Sequence, residues 1–408
     1  MEIMLMDEPQ PLKIAEGIYW VGVVDWNLRD FHGYETPKGG SYNAYLIVDE
    51  KIALIDTVKA SFSEEMLKRI RQIVDPAKID YVISNHVEMD HSGSLPAIMD
   101  IATNATLIAS AKGKSGLCEH YREMGCDDWK FQVAKTGDEI KLGKRTLMFI
   151  EATMLHWPDS MQTYLKEDKI LFSNDAFGQH IATSKRFDDE VEDVMEDAAI
   201  YYANILLPFG GQVIKYVEKV KELGISIDMI APAHGVIWRK DPSRIIEAYG
   251  RWARGEAAQK VLVIYDTMWG STEKMAMEIA EGVREAGVEV RVRHLRKNDW
   301  SMTMKELMDS PVIAIGSPTM NNKMFYTVAG FLTYMTGLHP KNKKYFLFGS
   351  YGWGGGAIKG MEKEIESAGF KLATESLQVK FRPFEDDLKQ CRDVGKRLAE
   401  IAKEEAKS

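Results

Sequence analysis

The sequence that decides the fold is Asn85-His86-Val87-Glu88-Met89-Asp90-His91-Ser92-Gly93, which directly follows the apolar run Tyr81–Ser84. Four potential metal ligands fall within six residues of it: His86, Glu88, Asp90 and His91. The first three alternate and the last two are consecutive, so the loop presents ligands in two directions. A lone histidine beside carboxylates usually lies in a solvated loop. Four such residues directly after a predicted strand instead favour a metal site.

Three further candidate ligands occur in the same context. His156 follows the predicted strand Arg145–Ile150, Asp175 follows Ile170–Phe172, and His234 follows Met229–Ala231. One histidine of this kind is usually a core or loop residue, but coincidence across four strands is hard to sustain. We therefore expect the ends of these strands to meet at one site.

Composition and charge exclude several classes of protein. Of 408 residues, 45% are hydrophobic and 28% are charged, as in an ordinary globular chain. The net charge of −9 disfavours nucleic acid as a partner. No apolar run approaches the ~18 residues that span a bilayer, and the N-terminal sequence MEIMLMDEPQ lacks the pattern of a secretory signal. We expect a cytoplasmic protein that binds no membrane.

The cysteines agree with a reduced compartment. There are three, Cys118, Cys126 and Cys391, and no C-x-x-C occurs. This pattern excludes a disulfide scaffold, a thiolate zinc finger and a rubredoxin-like iron site.

The pattern of elements changes along the chain. The first part holds short β-rich runs, some adjacent without a helix, as in a hairpin from Tyr42 to Asp56, with helical periodicity over Ser63–Ile73. Mixed sheets with helices outside fit this pattern. From Val261 to Lys403 five strand–helix units alternate, which predicts a doubly wound parallel sheet. We place the boundary near residue 255, giving domains 1–255 and 256–408.

Three loops of the C-terminal domain leave the carboxyl ends of its first, third and fourth strands, where such sheets bind ligands. The first loop opens a helix, whose free N–H groups bind a phosphate dianion without a basic residue. Each loop alone also fits a helix cap, a turn or a plain glycine-rich loop. Together they indicate one binding site. The loops are Thr267-Met268-Trp269-Gly270-Ser271-Thr272, Ser317-Pro318-Thr319-Met320-Asn321-Asn322 and Ser350-Tyr351-Gly352-Trp353-Gly354-Gly355-Gly356.

This half of the chain resembles a flavodoxin-like domain, and the resemblance implies FMN. It places Thr267, Trp269, Ser271 and Thr272 at the phosphate, and the neighbouring Met268 and Gly270 belong to the same loop. The absence of G-x-G-x-x-G with an acidic residue ~20 positions later argues against NAD. The resemblance places the other two loops around the ribityl chain and the isoalloxazine, through Ser317, Pro318, Thr319, Met320, Asn321, Ser350, Tyr351, Gly352, Trp353 and Gly354.

The first half resembles the metallo-β-lactamase fold, an αββα sandwich whose motif is H-x-H-x-D-H with later His, Asp and His ligands. The resemblance implies His86, Glu88 and His156 at one metal, Asp90, His91 and His234 at the other, and Asp175 bridging them. Glu88 stands where hydrolases of that family usually have a second histidine. The extra carboxylate makes the site harder and more anionic, which suits iron better than a zinc hydrolase site.

Together the two halves resemble the flavodiiron proteins, also called A-type flavoproteins, over nearly the whole chain. The motifs are H-x-E-x-D-H, L-H-W-P-D-S, N-D-A-F-G-Q-H and Y-G-W-G-G-G. The resemblance implies two irons and FMN, and electron transfer from a donor to dioxygen, which is reduced to water, or to nitric oxide. The sequence as a whole is most similar to the methanogen-type oxidase of reduced coenzyme F-420, a deazaflavin. The expected electron donor is therefore that coenzyme or else a small redox protein.

The resemblance also points to residues and an assembly that the motifs do not define. His32 is a candidate in the catalytic pocket, and Tyr202 or its neighbour Tyr201 a candidate donor to a metal-bound species, although a loop histidine and a packed helix are the plainer interpretations. Compact domains of this size have radii of gyration of about 18 and 15 Å. The fact that the two domains follow each other in one chain therefore does not by itself bring the flavin and the metals together. We expect a head-to-tail homodimer, or a homotetramer built from it.

Two other functions fit parts of the pattern. One is a binuclear zinc hydrolase that carries a flavodoxin module. The other is an electron carrier whose metal domain is only structural. Metal content separates these alternatives from a diiron redox enzyme.

Overall fold

The computed structural model describes residues 9–406, which form two compact units. The first unit comprises the chain up to Phe31, Thr36–Tyr201 and Gln212–Tyr249; the second comprises His32–Glu35, Tyr202–Gly211 and the chain from Gly250 onward. Residues 1–8, which carried the expectation about a secretory signal, lie outside the described residues. The boundary near residue 255 stays a prediction about which fragment folds alone.

Two mixed β-sheets build the first unit. Neighbouring strands of the larger sheet follow the order β1-β2-β7-β8-β9-β10-β11, and those of the smaller follow β12-β13-β14-β15-β16. A further pair, β3 with β6, stands apart, and β5 belongs to the second unit. The strands are β1 (Leu12–Ala15), β2 (Ile18–Trp20), β3 (Val23–Asp25), β4 (Asp30–Phe31), β5 (Tyr34–Glu35), β6 (Gly40–Tyr42), β7 (Tyr45–Val48), β8 (Ile52–Ile55), β9 (Tyr81–Ile83), β10 (Thr106–Ala109), β11 (Phe131–Val133), β12 (Glu139–Lys141), β13 (Thr146–Glu151), β14 (Met161–Leu165), β15 (Ile170–Asn174) and β16 (Met229–Pro232).

The alternation of side chains along each strand explains why these apolar runs are continuous. In β7, Tyr45 and Ile47 point into the core between the two sheets, whereas Leu46 points to the opposite face, where helices cover the sheet. The predicted hairpin forms here, with Tyr45 opposite Ile55 and Val48 opposite Ile52. Both faces are buried, so neither needs polar residues.

The helices of this part lie outside the sheets. Residues of α1, α3 and α4 pack on the outer face of the larger sheet. Leu171 of β15, Tyr216 of α6 and Ile246 of α7 line one apolar cavity on the outer side of the smaller sheet. The predicted αββα sandwich is confirmed. The α-helices are α1 (Ser63–Arg71), α2 (Met89–Ser92), α3 (Leu95–Ile101), α4 (Ala111–His120), α5 (Val194–Tyr201), α6 (Gly210–Glu222) and α7 (Pro242–Arg254). Short 3₁₀ turns cover Ala60–Phe62, Pro76–Lys78, Arg122–Met124, Cys126–Asp128, Asp188–Glu190 and Leu207–Phe209, and Tyr202–Leu206 is a π-helical turn.

One of the short β-rich runs of the first part is divided in two. The run Gly17–Val23 forms β2 and β3, which pair with β7 and β6 respectively. The backbone changes partner at Gly22, where a Cβ would collide with the carbonyl oxygen of Tyr42. Close backbone approach, which glycine permits, therefore ends the strand.

The second unit is the predicted doubly wound sheet. Parallel strands run in the order β18-β17-β19-β21-β23, the strand order 2-1-3-4-5 of flavodoxin-like folds, with β22 beside β21 and β20 paired antiparallel to β19. The elements are β17 (Lys260–Tyr265), α8 (Ser271–Glu285), β18 (Glu289–His294), α9 (Trp300–Asp309), β19 (Val312–Met320), β20 (Lys323–Met324), α10 (Tyr326–Gly337), β21 (Lys344–Tyr351), α11 (Ala357–Glu366), β22 (Lys371–Leu372), β23 (Leu377–Lys380) and α12 (Glu385–Glu405).

Within residues 9–406, none of the helices combines the length and apolarity that a bilayer-spanning segment requires.

Helices α8 and α12 touch through their backbones. A Cβ on Gly395 would overlap the carbonyl oxygen of Ile279, and one on Gly282 would overlap the carbonyl oxygen of Arg392. Both glycines are buried. The two helices approach this closely only because these positions carry no side chain.

We predict that Gly395→Ala lowers the free energy of unfolding by about 3 kcal/mol, since the neighbouring backbone cannot move aside as a flexible side chain would. Chemical denaturation followed by circular dichroism measures the change. Gly337→Ala, in α10 of the same unit, is the matched control, because its Cβ meets nothing within 4 Å. An equal, small effect of both substitutions would contradict the prediction.

Candidate metal centre and flavin pocket

The seven predicted ligands of the first unit converge at the ends of strands from both of its sheets. His86 and Glu88 follow β9, His156 lies in the loop between β13 and β14, Asp175 directly follows β15, and His234 lies two residues after β16. Asp90 and His91 lie in the short helix α2. All except Glu88, which is largely covered, are buried.

The structure sorts the ligands into two groups with one carboxylate between them. His86, Glu88, His156 and Asp175 offer atoms that lie within 4.8 Å of one another, and so do Asp90, His91 and His234. Asp175 faces both groups. Its Oδ2 is 3.6 Å from Nε2 of both His86 and His156, and its Oδ1 is 3.1 Å from Nε2 of His91 and 3.2 Å from Nε2 of His234.

Hydrogen bonds from behind orient two of the imidazoles. Nδ1 of His86 is 2.9 Å from Oδ2 of Asp159, and Nδ1 of His234 is 2.8 Å from the carbonyl oxygen of Ser41. A carboxylate and a carbonyl only accept, so each Nδ1 carries the proton and each Nε2 is left to face the centre. We did not assign these partners from the sequence, although Asp159 stands three residues after His156.

Asp56 ties two ligand loops together. Its buried carboxylate accepts hydrogen bonds from the backbone and side-chain nitrogens of Asn85 at 2.8 and 3.0 Å, and from Nδ2 of Asn174 at 3.3 Å. These asparagines precede His86 and Asp175 in the chain. Asp56 therefore sets the distance between the two loops, and its place at the end of the apolar run Ile52–Ile55 is the only sequence signal that marks it.

The charges of the cluster compensate one another. Burial disfavours the charged imidazole of His234, yet the carboxylates of Asp175 and Asp90 raise the pKa of His234 to about 10. Burial likewise disfavours the carboxylate of Asp175, but the imidazoles of His91 and His234 hold the pKa of Asp175 well below its usual range. The carboxylates thus demand positive charge, which protons supply here and which metal ions would supply with release of those protons.

Several buried atoms fit metal ions as partners. Among residues 9–406, Nε2 of His86, Nε2 of His234 and both carboxylate oxygens of Asp90 make no well-formed hydrogen bond. Buried polar atoms of this kind are rare unless a ligand satisfies them. Imidazole nitrogens with three carboxylates form a mixed, rather hard donor set that suits iron.

Of the two tyrosines that the sequence left open, Tyr201 contacts the cluster. Its hydroxyl donates to Oδ1 of Asp175 at 3.0 Å. Tyr202 belongs to the second unit, where its ring packs against Trp252 with centroids 5.2 Å apart. His32 also belongs to the second unit, in the segment His32–Glu35, so its catalytic role stays a prediction.

A cavity of about 420 Å³ opens at the carboxyl end of the parallel sheet in the second unit. Most of the predicted loop residues line it: Met268, Trp269, Ser271, Pro318, Thr319, Asn321, Ser350, Tyr351, Gly352, Trp353 and Gly354. Trp269 and Trp353 are each 93% exposed, so a flat aromatic ligand would cover two large apolar faces. Asn322, which ends the second predicted loop, also lines the cavity, as does Phe381, which was not predicted.

Other predicted residues support the loops. The Thr267 hydroxyl accepts a hydrogen bond from the Gly270 nitrogen at 3.0 Å, and the hydroxyls of Thr272 and Ser350 join the first and third loops at 3.0 Å. The Ser317 hydroxyl accepts from the Phe325 nitrogen at 2.9 Å. Gly270 forms the left-handed turn before α8, and Met320 ends β19.

Beneath the first loop lies Asp266, a buried carboxylate that was not among the predicted site residues. It accepts hydrogen bonds from the Thr267 nitrogen at 2.7 Å, from Nε of Arg296 at 2.9 Å and from the Thr327 hydroxyl. The Arg296 guanidinium also donates to the carbonyl oxygen of Thr267. Burial works against the charge, but these partners lower the pKa of Asp266 below its ordinary value. This network anchors the loop from behind.

Comparisons with known proteins agree with both halves. Residues 41–235 match the family described as ODP family beta lactamase, and residues 263–395 match Flavodoxin. The chain is 48% identical to a protein named nitric oxide reductase of Moorella thermoacetica, over 96% of this chain and 98% of that one.

Two solved structures are similar over nearly their whole length. One is rubredoxin oxygen:oxidoreductase from Desulfovibrio gigas, with a TM-score of 0.94, 39% identity and coverage of 98% of this chain and 100% of that one. The other is the flavodiiron protein from Giardia intestinalis, with a TM-score of 0.94, 39% identity and coverage of 98% of each chain.

We predict that Asp175→Ala removes metal from both positions, because its two oxygens face both groups of ligands. Metal per chain, measured by mass spectrometry of the purified protein, checks this. Asp159→Asn is the matched control, since Asp159 touches only His86 of the seven ligands; its loss should weaken one position about 10- to 100-fold. An Asp175→Ala protein that retains two metals would refute the assignment.

We predict that Asp266→Asn weakens FMN binding about tenfold, since an amide NH₂ would face the donors that now anchor the loop. Fluorescence titration with FMN gives the dissociation constant. Asp299→Ala is the control: Asp299 caps α9 in the same unit by accepting from the Ser301 and Met302 nitrogens, so loss of this cap tests for general destabilisation. Equal effects of the two substitutions on FMN binding would count against a specific role of Asp266.

Proposed function

This chain belongs to the flavodiiron proteins, and from that premise we propose that it passes electrons from a reduced donor through FMN to a diiron centre that reduces dioxygen to water. The observation that carries the proposal is the position of Asp175, whose two oxygens face two separate groups of ligands. A carboxylate placed in this way suits a pair of metal ions that act together on one small molecule.

Each ligand then has a role. We assign His86, Glu88 and His156 to one iron, Asp90, His91 and His234 to the other, and Asp175 to both. Bound FMN would supply the conversion of electron pairs into single electrons, and two irons held by these residues would supply a site for a diatomic molecule. The carboxylate Glu88, in a position where zinc hydrolases of this fold have an imidazole, favours iron over zinc.

The residues behind the ligands keep the site in shape. Asp159 and the Ser41 carbonyl hold His86 and His234 with Nε2 toward the centre. The Tyr201 hydroxyl donates a hydrogen bond to Oδ1 of Asp175 and thereby orients this carboxylate. We therefore propose Tyr201, rather than Tyr202, as the tyrosine that donates a hydrogen bond at the metal centre. We keep His32 as a candidate residue of the catalytic pocket, and the kinetics of a His32 variant would test this role.

In the second unit, we assign the flavin to the cavity between the three loops. Ser271 and the first turn of α8 bind the phosphate through hydroxyl and backbone N–H groups, which needs no basic residue. Trp269 and Trp353 offer their faces to the ring.

Nitric oxide is the second candidate substrate, and a specific observation favours it. The relative from Moorella thermoacetica, 48% identical over 96% of this chain, is named nitric oxide reductase. The similar structure from Desulfovibrio gigas is named for oxygen instead. Both diatomics suit a site with two metals and one bridging carboxylate.

The electron donor is proposed from the sequence. We propose reduced coenzyme F-420, on the resemblance of the sequence to methanogen-type oxidases, with a small redox protein as the alternative and the cytoplasm as the compartment. A hydride donor suits a flavin, because a flavin takes up two electrons at once.

We predict that reduced F-420 bleaches the flavin absorbance anaerobically, and that dioxygen then restores it within milliseconds to seconds. Parallel reactions use nitric oxide as oxidant and reduced rubredoxin as donor. The faster oxidant, with water or nitrous oxide as the measured product, identifies the substrate. Asp175→Ala is the control that should accept electrons but not deliver them to either diatomic.

The same preparation tests the alternatives. Two irons per chain with rapid reoxidation support the proposal. Two zincs per chain with hydrolytic activity would favour the hydrolase, and reoxidation at the same rate in Asp175→Ala would favour an electron carrier.

We further propose that the working unit is a head-to-tail homodimer, alone or within a homotetramer. Apolar side chains are exposed at both sites in the single chain: Met89 beside the metal ligands is 60% exposed, and Trp353 at the flavin cavity is 93% exposed. A reciprocal two-fold interface would cover both kinds of surface twice.

We predict that two inactive variants restore activity when mixed. One chain lacks FMN through Thr267→Ala with Ser271→Ala, the other lacks iron through His86→Ala, and different affinity tags isolate the mixed dimer. Transfer between chains leaves one competent flavin–iron pair, so about half of the parent activity should return. Mixed dimers that stay inactive would show that transfer occurs within a chain.

A further inference from the structure

Two of the three cysteines lie in contact. The Sγ atoms of Cys118 and Cys126 are 2.9 Å apart, whereas Cys391 is buried in α12 of the second unit. Cys118 lies in the last turns of α4, and Cys126 begins the second of the two 3₁₀ turns that follow, Cys126–Asp128. The left-handed Gly125, with φ of 83°, reverses the chain between them. The two thiols are therefore already placed for a disulfide bond, whose sulfur atoms are about 2.05 Å apart.

The thiols differ in access. Cys118 is partly exposed, whereas Cys126 is buried. Burial raises the pKa of Cys126 to about 12, so the buried sulfur does not start a reaction with a reagent in solution. This order of access is that of an attacking thiol backed by a resolving thiol.

A chain of hydrogen bonds leads from this pair to the ligand loop. The Cys126 nitrogen donates to the carbonyl oxygen of Tyr121 at 3.2 Å, and the Tyr121 hydroxyl bonds the Ser92 hydroxyl at 2.8 Å. Ser92 Oγ lies 2.6 Å from the carbonyl oxygen of Val87 and 3.0 Å from that of Glu88. Tyr121 thus stands between the two cysteines in sequence and supports the loop that carries His86 to His91.

We propose that Cys118 and Cys126 form a redox-active dithiol that closes to a disulfide by exchange with a low-molecular-weight disulfide, and that closure stiffens the loop 86–91 through Tyr121. The Cys118 thiolate attacks one sulfur of the external disulfide, forms a mixed disulfide and expels one thiol. Cys126 then attacks the Cys118 sulfur and expels the second thiol. The protein loses two electrons and two protons, and the external disulfide gains them as it becomes two thiols.

The first test is chemical and does not depend on the proposed function. The purified holoenzyme is treated with glutathione disulfide, unfolded, alkylated and weighed by mass spectrometry. We expect a loss of two hydrogens, one alkylated cysteine, and a peptide that joins residues 118 and 126. Cys126→Ser should instead keep one glutathione on Cys118, and Cys391→Ser should still form the disulfide. Three alkylated cysteines, or a lasting mixed disulfide in the parent chain, would overturn the proposal.

The second test concerns the connection to the loop. Hydrogen–deuterium exchange of the peptide covering residues 85–93 is compared between the dithiol and disulfide forms, and we expect several-fold slower exchange in the disulfide form. Tyr121→Phe should form the same disulfide yet lose the difference, because it lacks the hydroxyl that reaches Ser92. Equal exchange in the two forms, or a difference that survives in Tyr121→Phe, would refute the connection. This readout holds whichever metal the loop binds.

Discussion

The first unit depends on one buried carboxylate, Asp175, held among four imidazoles. An ionised carboxylate is costly to bury unless positive charge or hydrogen bonds surround it. Here Oδ1 and Oδ2 are each approached by two imidazole nitrogens, and Tyr201 adds a hydrogen bond. The surrounding fold brings that charge together: strands of two sheets end at one place, so residues far apart in the chain meet around the carboxylate.

The loop 86–91 is held from several independent directions. Asp56 binds Asn85 at its start, Asp159 binds both the His86 ring and the Val87 nitrogen, and Ser92 with Tyr121 holds its end. These partners belong to different elements of the unit. A metal site held in this way is organised before the metal binds, which preserves the spacing of ligands that belong to two ions.

The second unit uses charged residues in a different way from the first. The loop before α8, which we propose binds the phosphate, carries hydroxyls and N–H groups, and the ion pair of Asp266 and Arg296 lies behind this loop. The ion pair there fixes the backbone of the loop, and the backbone N–H groups would bind the ligand. In both units a buried aspartate next to a ligand-binding loop sets the geometry, through an asparagine pair in one and an arginine in the other.

The sequence by itself predicted the two kinds of sheet, the seven candidate ligands and most of the residues that line the cavity, because each follows from a local pattern: an apolar run that ends in a polar loop. The place of Asp175 between the two groups was already implied by the family resemblance of the sequence, whereas only the tertiary structure decided the supporting roles of Asp56, Asp159 and Asp266. It also distinguished Tyr201 from Tyr202, since adjacent helical residues point about 100° apart and packing decides which one faces the site. Local patterns record which face of an element is apolar, whereas the pairing of charges depends on distances between elements that the chain brings together only when it folds.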